Sequence, residues 1–222
     1  PAWRLAVRAE LGLGAPTRNV PYSMNSNSKG WYRRGYLPHC DVPRTMQFIT
    51  FRLADSLPQN VLDTIEQELE HVPILERDFE RYRKIERWLD QGLGCCALQH
   101  PQVAAVMRET LQIADGSSYR LLEWCVMPNH VHVLIEQFIS LPKIVQSWKS
   151  YTGRWALAHN AELGLNIQGQ QFWMRDYWDR FIRDEDHFNR VVSYIRENPV
   201  KAGLCDNPGN WLWSSAYAGA CD

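Results

Sequence analysis

The clearest alternation of apolar and polar positions lies between residues 119 and 136. Residues 119–127 and 130–136 are rich in β-branched and aromatic side chains, and Pro128-Asn129 separates them. This pattern predicts two strands joined as an antiparallel hairpin. Successive side chains alternate across a strand, so the second strand has two different faces. One face carries Val131, Val133 and Ile135, and the other carries His130, His132 and Leu134.

Elsewhere most apolar residues recur at helical spacing. Residues 45–53 form the exception, because their aromatic and β-branched side chains predict one more strand. In the predicted helix at residues 76–89, the many charges are expected to form a solvated face. The predicted helices lie at residues 55–69, 76–89, 101–114, 141–160 and 184–198. This order of elements predicts an α+β fold in which helices cover an antiparallel sheet.

Residue types also predict where two of the helices begin and end. Asp55 or Ser56 is expected to cap the first helix, because short polar side chains accept hydrogen bonds from unpaired N–H groups. The acidic residues from Asp184 onward suit the positive end of the last helix. That helix is expected to stop at Asn198-Pro199, because proline has no backbone N–H.

The first 29 residues show no sustained periodicity and contain several Gly, Pro, Ser and Asn residues. We expect residues 1–29 to form a flexible lead-in to a domain that spans residues 30–222. The sequence begins with Pro1, and Met24 is a candidate for the natural start. The sequence leaves that choice open.

Composition and charge narrow the class of protein. A chain of 222 residues with net charge −1 is typical of one globular domain and not of a nonspecific DNA coat. Residues 29–52 nevertheless carry five basic side chains and one acidic one, which favours a local binding surface. No apolar run is long enough to cross a membrane. The six cysteines lack a disulfide-like spacing, so we expect reduced thiols and a cytoplasmic location.

His130 and His132 are candidate metal ligands, because side chains two apart on a strand point the same way. The alternative is a pair of half-exposed histidines on a sheet surface. A zinc site formed with Cys125 is a third interpretation, but the sequence offers no convincing fourth ligand. On the last predicted helix, Tyr194 and Asn198 lie four apart and share a line beside the apolar stripe. From there a side chain can reach a site on the sheet.

Six segments together resemble the REP-associated tyrosine transposases (RAYTs), a group of His-hydrophobic-His single-strand transposases that use one tyrosine. The segments occur in family order at residues 30–39, 47–58, 127–135, 148–150, 177–183 and 194–204. The resemblance implies a ferredoxin-like core with both histidines on its central strand. It also implies that Tyr194 is the nucleophile and that His130, His132 and Asn198 bind a divalent metal, Mg²⁺ or Mn²⁺. Related transposases often carry Gln where this chain has Asn198.

The resemblance implies a metal-dependent endonuclease and strand-transferase acting on single-stranded DNA. It would form a 5′-phosphotyrosine intermediate on hairpin-flanked repetitive elements, as a monomer or homodimer in a bacterial cytoplasm. One alternative is a domesticated protein that binds DNA hairpins with little catalysis. Another is a hydrolase that uses metal-bound water. Tyr177 is the reserve nucleophile, although position 181, one turn on, holds Phe instead of an amide.

The candidate DNA contacts are basic and aromatic side chains, since arginine and lysine bind phosphates and aromatic rings stack on unpaired bases. They are Trp31, Arg33, Arg34, Lys149, Arg180 and Arg183. For the residues near position 31, the alternative is a loop that packs its aromatic rings on the core. For Lys149, Arg180 and Arg183, the alternative is ordinary surface ion pairing with Asp179 or Asp184.

Overall fold

A four-stranded antiparallel sheet forms the centre of the fold. In the computed structural model, which describes residues 30–34, 37–74 and 76–219, its strands are β3 (Met46–Arg52), β4 (Tyr119–Val126), β5 (His130–Gln137) and β6 (Trp178–Phe181). The strand order is β4-β5-β3-β6, so β5 and β3 are central. The predicted hairpin is confirmed, since β4 and β5 pair antiparallel. The predicted lead-in at residues 1–29 lies outside the described residues.

Six α-helices are described, and most agree with the sequence prediction. They are α1 (Gln59–Leu69), α2 (Arg77–Leu89), α3 (Pro101–Gln112), α4 (Leu141–Ala158), α5 (Asn160–Leu163) and α6 (Glu185–Lys201). Short 3₁₀ turns occur at Ala97–Gln99 and Pro208–Asn210. The order β3, α3, β4, β5, α4, β6 together with the strand order is the ferredoxin-like arrangement, so the α+β prediction is confirmed. The pair α1 and α2 is inserted between β3 and α3.

The two faces of the sheet pack against different helices. One face carries Val131, Val133 and Ile135 and forms the main apolar cluster with side chains of α3 and α4. The opposite face carries Leu134 and packs against Phe188, Val191 and Ile195 of α6. A third small cluster joins α1 to α2. The predicted division of β5 into two faces is therefore confirmed.

Two further strands, β1 (Gly30–Arg34) and β2 (Leu37–Asp41), form an antiparallel hairpin beside the main sheet. Buried Asp41 accepts hydrogen bonds from Leu141 N (2.8 Å) and Ser140 Oγ (2.9 Å), at the start of α4. His39 hydrogen-bonds Asp179 of β6. Buried polar contacts of this kind hold the hairpin against the core.

Of the three helix ends predicted from residue types, the start of the last helix at Asp184 is confirmed and the other two are wrong. No side chain caps α1, which begins after Pro58, because Asp55 accepts from Cys95 N (2.7 Å) and Ser56 donates to Leu53 O (2.8 Å). The last helix does not stop at Asn198-Pro199 but continues to Lys201. Proline removes only its own donor, and the next turn closes normally through Ala202 N to Asn198 O (3.0 Å).

Candidate active site

The two histidines of β5 face each other inside the protein. His130 and His132 are 1% and 0% exposed. Their Nε2 atoms lie 3.0 Å apart, and their rings are nearly perpendicular. The interpretation of half-exposed surface histidines is therefore wrong. Strand periodicity placed the rings on one face, and the packing of α6 and α2 over that face buries them.

Neighbouring polar groups fix the orientation of each imidazole. Asn129 Oδ1 lies 2.7 Å from His130 Nδ1, and Thr50 Oγ1 lies 2.9 Å from His132 Nδ1. The Asn129 amide is oriented in turn, because its Nδ2 donates to the carbonyls of Leu89 and Leu93. An amide oxygen can only accept, so the His130 Nδ1 carries the proton, and the lone pair of its Nε2 faces His132 Nε2.

Burial keeps both histidines neutral. Desolvation lowers the pKa of His130 to about 3. The pKa of His132 is lowered by desolvation and further by His130. A neutral imidazole with its Nδ1 bonded and its Nε2 unprotonated is the form that binds a metal ion.

Tyr194 of α6 lies directly over this pair. Its ring centroid is 5.2 Å from that of His132 and 5.8 Å from that of Phe48. The phenol hydroxyl donates a hydrogen bond to Glu86 Oε2. Burial, followed by the Glu86 carboxylate, raises the pKa of Tyr194 well above its usual value. The free protein therefore holds this tyrosine as a neutral phenol.

Asn198 follows Tyr194 by one helical turn and is 1% exposed. Its side chain lies beside the phenol and acts to lower the pKa of Tyr194. Among the described residues, Asn198 Oδ1 has no hydrogen-bond partner. Buried polar atoms are normally paired, so an unpaired oxygen at this place suggests a ligand.

Glu86 is the residue that sequence reasoning missed. It lies on α2, whose charges were expected to form a solvated face, yet it is only 8% exposed. Its Oε2 lies 3.6 Å from His132 Nε2, and its Oε1 has no partner among the described residues. Desolvation raises the pKa of Glu86 to about 8. One signal in the sequence was available. Glu86 lies four residues after Tyr82, so both side chains lie on the same face of the helix, and an aromatic residue on that face favours burial.

Basic side chains that the sequence analysis did not single out lie at the outer edge of Tyr194. Lys201 Nζ lies 5.2 Å from the centroid of the Tyr194 ring. Arg190, Ser193 and Lys201 line an open cleft of about 450 Å³ with one edge of the tyrosine. Cationic groups around a candidate nucleophile suit an approaching phosphate.

The structure separates the predicted DNA contacts. Arg180 lies opposite Phe48 in the sheet, and Phe48 belongs to the apolar cluster on the face that carries His130 and His132, called here the histidine face. The Arg180 guanidinium lies 5.8 Å from the centre of the Phe79 ring. Lys149 lies on α4, which packs on the other face, and donates to the carbonyls of Met174 (2.5 Å) and Arg175 (2.8 Å). The side chains of Trp31, Arg33 and Arg34 lie outside the described residues.

The proposed ion-pair partners of the arginines have other roles. Asp179 accepts from Cys40 N (3.2 Å) and bonds His39. Asp184 caps α6 by accepting from His187 N (2.7 Å). Arg183 follows β6, and its backbone N–H donates to His187 Nδ1 (3.3 Å). These contacts do not support the interpretation that Asp179 or Asp184 neutralises Arg180 and Arg183.

Tyr177, the reserve nucleophile, does not lie at the histidine pair. It is 6% exposed, belongs to the apolar cluster on the other face of the sheet, and its ring lies 5.1 Å from that of His39. Tyr194, and not Tyr177, therefore contacts a histidine of the pair.

A metal site is not shown. Among the residues described, no three or more His, Cys, Asp or Glu side chains are already grouped as a metal cage. Cys125 pairs with His132 in the sheet, but its thiol contacts Met127 Sδ at 3.5 Å. The zinc interpretation therefore gains no support. Within residues 30–34, 37–74 and 76–219, the helices are too short or too polar to cross a lipid bilayer.

Part of the chain is similar to a known protein family. Residues 99–198 match the family described as "Transposase IS200 like". A Haemophilus influenzae protein named "Putative REP-associated tyrosine transposase" is 27% identical over 116 residues, which cover 48% of this chain and 64% of that relative. The match thus spans less than two thirds of the relative's length.

Two further similarities are weaker. A second Haemophilus influenzae protein, described as uncharacterized, is 23% identical over 145 residues and is covered over 77% of its length. A solved structure titled "Structure of the REP associates tyrosine transposase bound to a REP hairpin" is 20% identical, covers 82% of this chain and 80% of its own, and superposes with a TM-score of 0.43. That score is too low to support an argument about this chain.

Proposed function

Residues 99–198 form an IS200-like transposase domain, and from this premise we propose that the protein cuts and rejoins single-stranded DNA through Tyr194. The observation that carries the proposal is the contact between Tyr194 and His132, whose ring centroids are 5.2 Å apart. The histidine pair, the tyrosine and Asn198 come from two distant parts of the chain. Their convergence on one face of the sheet supports a common catalytic role.

The proposed reaction is a transesterification. The Tyr194 hydroxyl oxygen forms a bond to the DNA phosphorus, the bond from phosphorus to the 3′ oxygen breaks, and the phenol proton ends on the departing 3′ hydroxyl. The products are a 5′-phosphotyrosine link and a free 3′ end. The link conserves the phosphodiester bond energy, so rejoining requires no nucleotide cofactor.

His130, His132 and Asn198 fit a divalent metal. The two Nε2 atoms are close, both rings are neutral, and Asn198 Oδ1 is buried without a partner among the described residues. A bound Mg²⁺ or Mn²⁺ would neutralise charge on the scissile phosphate. Two imidazoles and an amide form a nitrogen-rich set, so we expect activity with both ions and tighter binding of Mn²⁺.

The remaining residues suit positioning of the nucleophile and the DNA. The hydrogen bond to Glu86 holds the phenol oxygen beside the histidines. Lys201 and Arg190 border the open edge of Tyr194, where a phosphate would arrive. Arg180 lies on the same face of the sheet. The proposed substrate, a hairpin-flanked repetitive element, rests on the RAYT resemblance and on the name of the Haemophilus influenzae relative.

One observation favours the second candidate, a hairpin-binding protein with little catalysis. The phenol of Tyr194 is engaged by a buried carboxylate and has a raised pKa. A tyrosine that stayed in this state on DNA would be a poor nucleophile. The two candidates make opposite predictions about covalent attachment.

The test is a denaturing gel of labelled single-stranded hairpin DNA, with Mn²⁺ or with EDTA. The variants are wild type, Tyr194→Phe and, as a matched control, Tyr151→Phe, since Tyr151 is 55% exposed on α4. We expect a protein-linked band that requires metal, persists in the control and disappears in Tyr194→Phe. Metal-dependent cutting that survives in Tyr194→Phe would favour water as the nucleophile. Tight binding with no cutting of any hairpin tested would favour the hairpin-binding candidate.

A further inference from the structure

The geometry points to Glu86 as a fourth ligand of the divalent metal, beside His130, His132 and Asn198. This inference rests on the proposed function, because it assumes the metal that the tyrosine reaction needs. It adds a residue from the inserted helix α2, which lies outside the matched family domain of residues 99–198. The carboxylate would contribute an oxygen donor and a negative charge.

The two distances that join His132 Nε2 to other donor atoms suit a shared cation. Two atoms that each lie about 2.1 Å from one ion are about 3.0 Å apart at a right angle and about 3.6 Å apart at 120°. His130 Nε2 and His132 Nε2 are separated by 3.0 Å. His132 Nε2 and Glu86 Oε2 are separated by 3.6 Å. Both spacings fall in the range that a single ion can bridge.

Two buried oxygens at this place lack hydrogen-bond partners. Glu86 Oε1 and Asn198 Oδ1 are both buried, and neither has a partner among the described residues. Glu86 accepts a hydrogen bond from the phenol of Tyr194, and Asn198 lies one helical turn after that tyrosine. Leaving two oxygens unpaired costs free energy, and a cation held between them and the histidines would satisfy both.

The donor chemistry improves when Glu86 is included. Without it, the set of two imidazoles and one amide is poor in oxygen and carries no negative charge. With it, the set has two nitrogens and two oxygens, one of them anionic, which is better suited to Mg²⁺.

Tyr194 is the hydrogen-bond partner of the Glu86 carboxylate. Its Oε2 accepts the hydrogen bond from Tyr194, and its Oε1 is unpaired, so the three side chains do not yet form a closed cage. A carboxylate oxygen has more than one lone pair, so Oε2 can bind an ion beside His132 Nε2 while it still accepts from the phenol. Glu86 would then bridge the phenol and the ion, which would place the nucleophile next to the metal.

The test measures metal binding by the 222-residue chain without DNA. Mn²⁺ is titrated by calorimetry, and bound Mn²⁺ is followed by the loss of the free-ion electron paramagnetic resonance signal. The variants are Glu86→Gln, Glu86→Asp and the control Glu76→Gln, because Glu76 is exposed next to the start of the same helix. Thermal unfolding of each variant checks that it is folded.

We expect wild type and Glu76→Gln to bind one Mn²⁺ equally and Glu86→Gln to bind it at least about tenfold more weakly. The loss of affinity should be larger for Mg²⁺ than for Mn²⁺, because an oxygen ligand has been removed and both imidazoles remain. A structural role alone would not change this selectivity. Glu86→Asp keeps the carboxylate and should retain part of the Mg²⁺ affinity.

Two outcomes would overturn the inference in distinguishable ways. If Mn²⁺ binds wild type and Glu86→Gln equally but is lost in His130→Ala, Glu86 is not a ligand and the proposed metal centre stands. If wild type binds no Mn²⁺, the metal centre of the proposed function fails together with this inference. If Glu86→Gln is unfolded, the Mg²⁺ and Mn²⁺ affinities of Glu86→Asp decide between the same outcomes.

Discussion

The two faces of β5 are equally buried but chemically opposite. Val133 and Ile135 on one face and His132 on the other are each 0% exposed. The face that carries Val131, Val133 and Ile135, called here the valine face, packs against apolar side chains of two helices. The histidine face is organised by directed contacts from Thr50, Glu86 and Tyr194. One strand thus provides the core of the domain and the candidate catalytic centre.

This difference shows how the strand can separate stability from chemistry. Burial of apolar side chains on one face is nondirectional and favourable. Burial of neutral imidazoles on the other is costly unless each nitrogen is paired. We therefore expect substitutions on the valine face to lower the free energy of unfolding. Substitutions on the histidine face should instead lower the rate of DNA cleavage. The predictions that follow test this separation, beginning with the largest effect.

Replacing a histidine should have the largest effect on activity. His130→Ala removes one of two paired nitrogen donors, so we expect metal-dependent cleavage of hairpin DNA to fall by on the order of a thousandfold. Circular dichroism should show a folded protein. The measurement is the cleavage rate per folded molecule with Mn²⁺. A rate within about threefold of wild type would contradict the assignment of His130.

Replacing a side chain on the opposite face should mainly reduce stability. Ile135→Ala leaves a cavity in the main apolar cluster and should lower the free energy of unfolding by about 2–5 kcal/mol. Denaturant unfolding provides the measurement. Below the unfolding transition, cleavage per folded molecule should remain near wild type. A specific loss of cleavage in a stable Ile135→Ala protein would mean that the two faces are not separable.

Asn198 should show an intermediate effect. Asn198→Ala removes the unpaired buried oxygen and should lower Mn²⁺ affinity by about 10- to 100-fold. Asn198→Gln keeps an amide oxygen and should retain part of that affinity. Calorimetric titration of the three proteins compares them directly. Equal affinities would show that Asn198 serves only to orient Tyr194.

The smallest expected effect is the difference in DNA binding between variants of two basic side chains, one on each face of the sheet. Arg180→Ala, on the histidine face, should weaken hairpin binding by up to about tenfold, as expected for loss of a phosphate contact. Lys149→Ala, on the other face, should change binding little, because its ammonium holds the carbonyls of residues 174 and 175. Fluorescence anisotropy at two salt concentrations measures both. A larger loss for Lys149→Ala would place DNA on the opposite face.

The parts of the site that arise from local periodicity could be predicted from the sequence. Alternation along β5 placed His130 and His132 on one face, and the spacing of four on α6 placed Tyr194 with Asn198. Burial of the histidines was not predicted, because it depends on packing against α2 and α6. Both helices are distant from β5 in the sequence.

Glu86 could not be identified because its helix is amphipathic and rich in charge. Most acidic residues of such a helix face solvent, and only tertiary packing separates Glu86 from the others. Lys149 was placed at the DNA for a similar reason, since the sequence does not show which face of the sheet a crossover helix covers. The end of α6 was misjudged because Pro199 removes only one hydrogen bond, the one to the carbonyl of Ile195, and the following turn still closes through Ala202 N and Asn198 O.

The central claim is that Tyr194 itself becomes linked to DNA, and peptide mapping tests it most directly. The protein would be incubated with Mn²⁺ and single-stranded hairpin oligonucleotides that carry randomised flanks, digested with protease and nuclease, and analysed by mass spectrometry. We predict a nucleotide mass on the peptide that contains Tyr194, and its absence in EDTA. Attachment at Tyr177, or metal-dependent cutting with no modified peptide, would contradict the account.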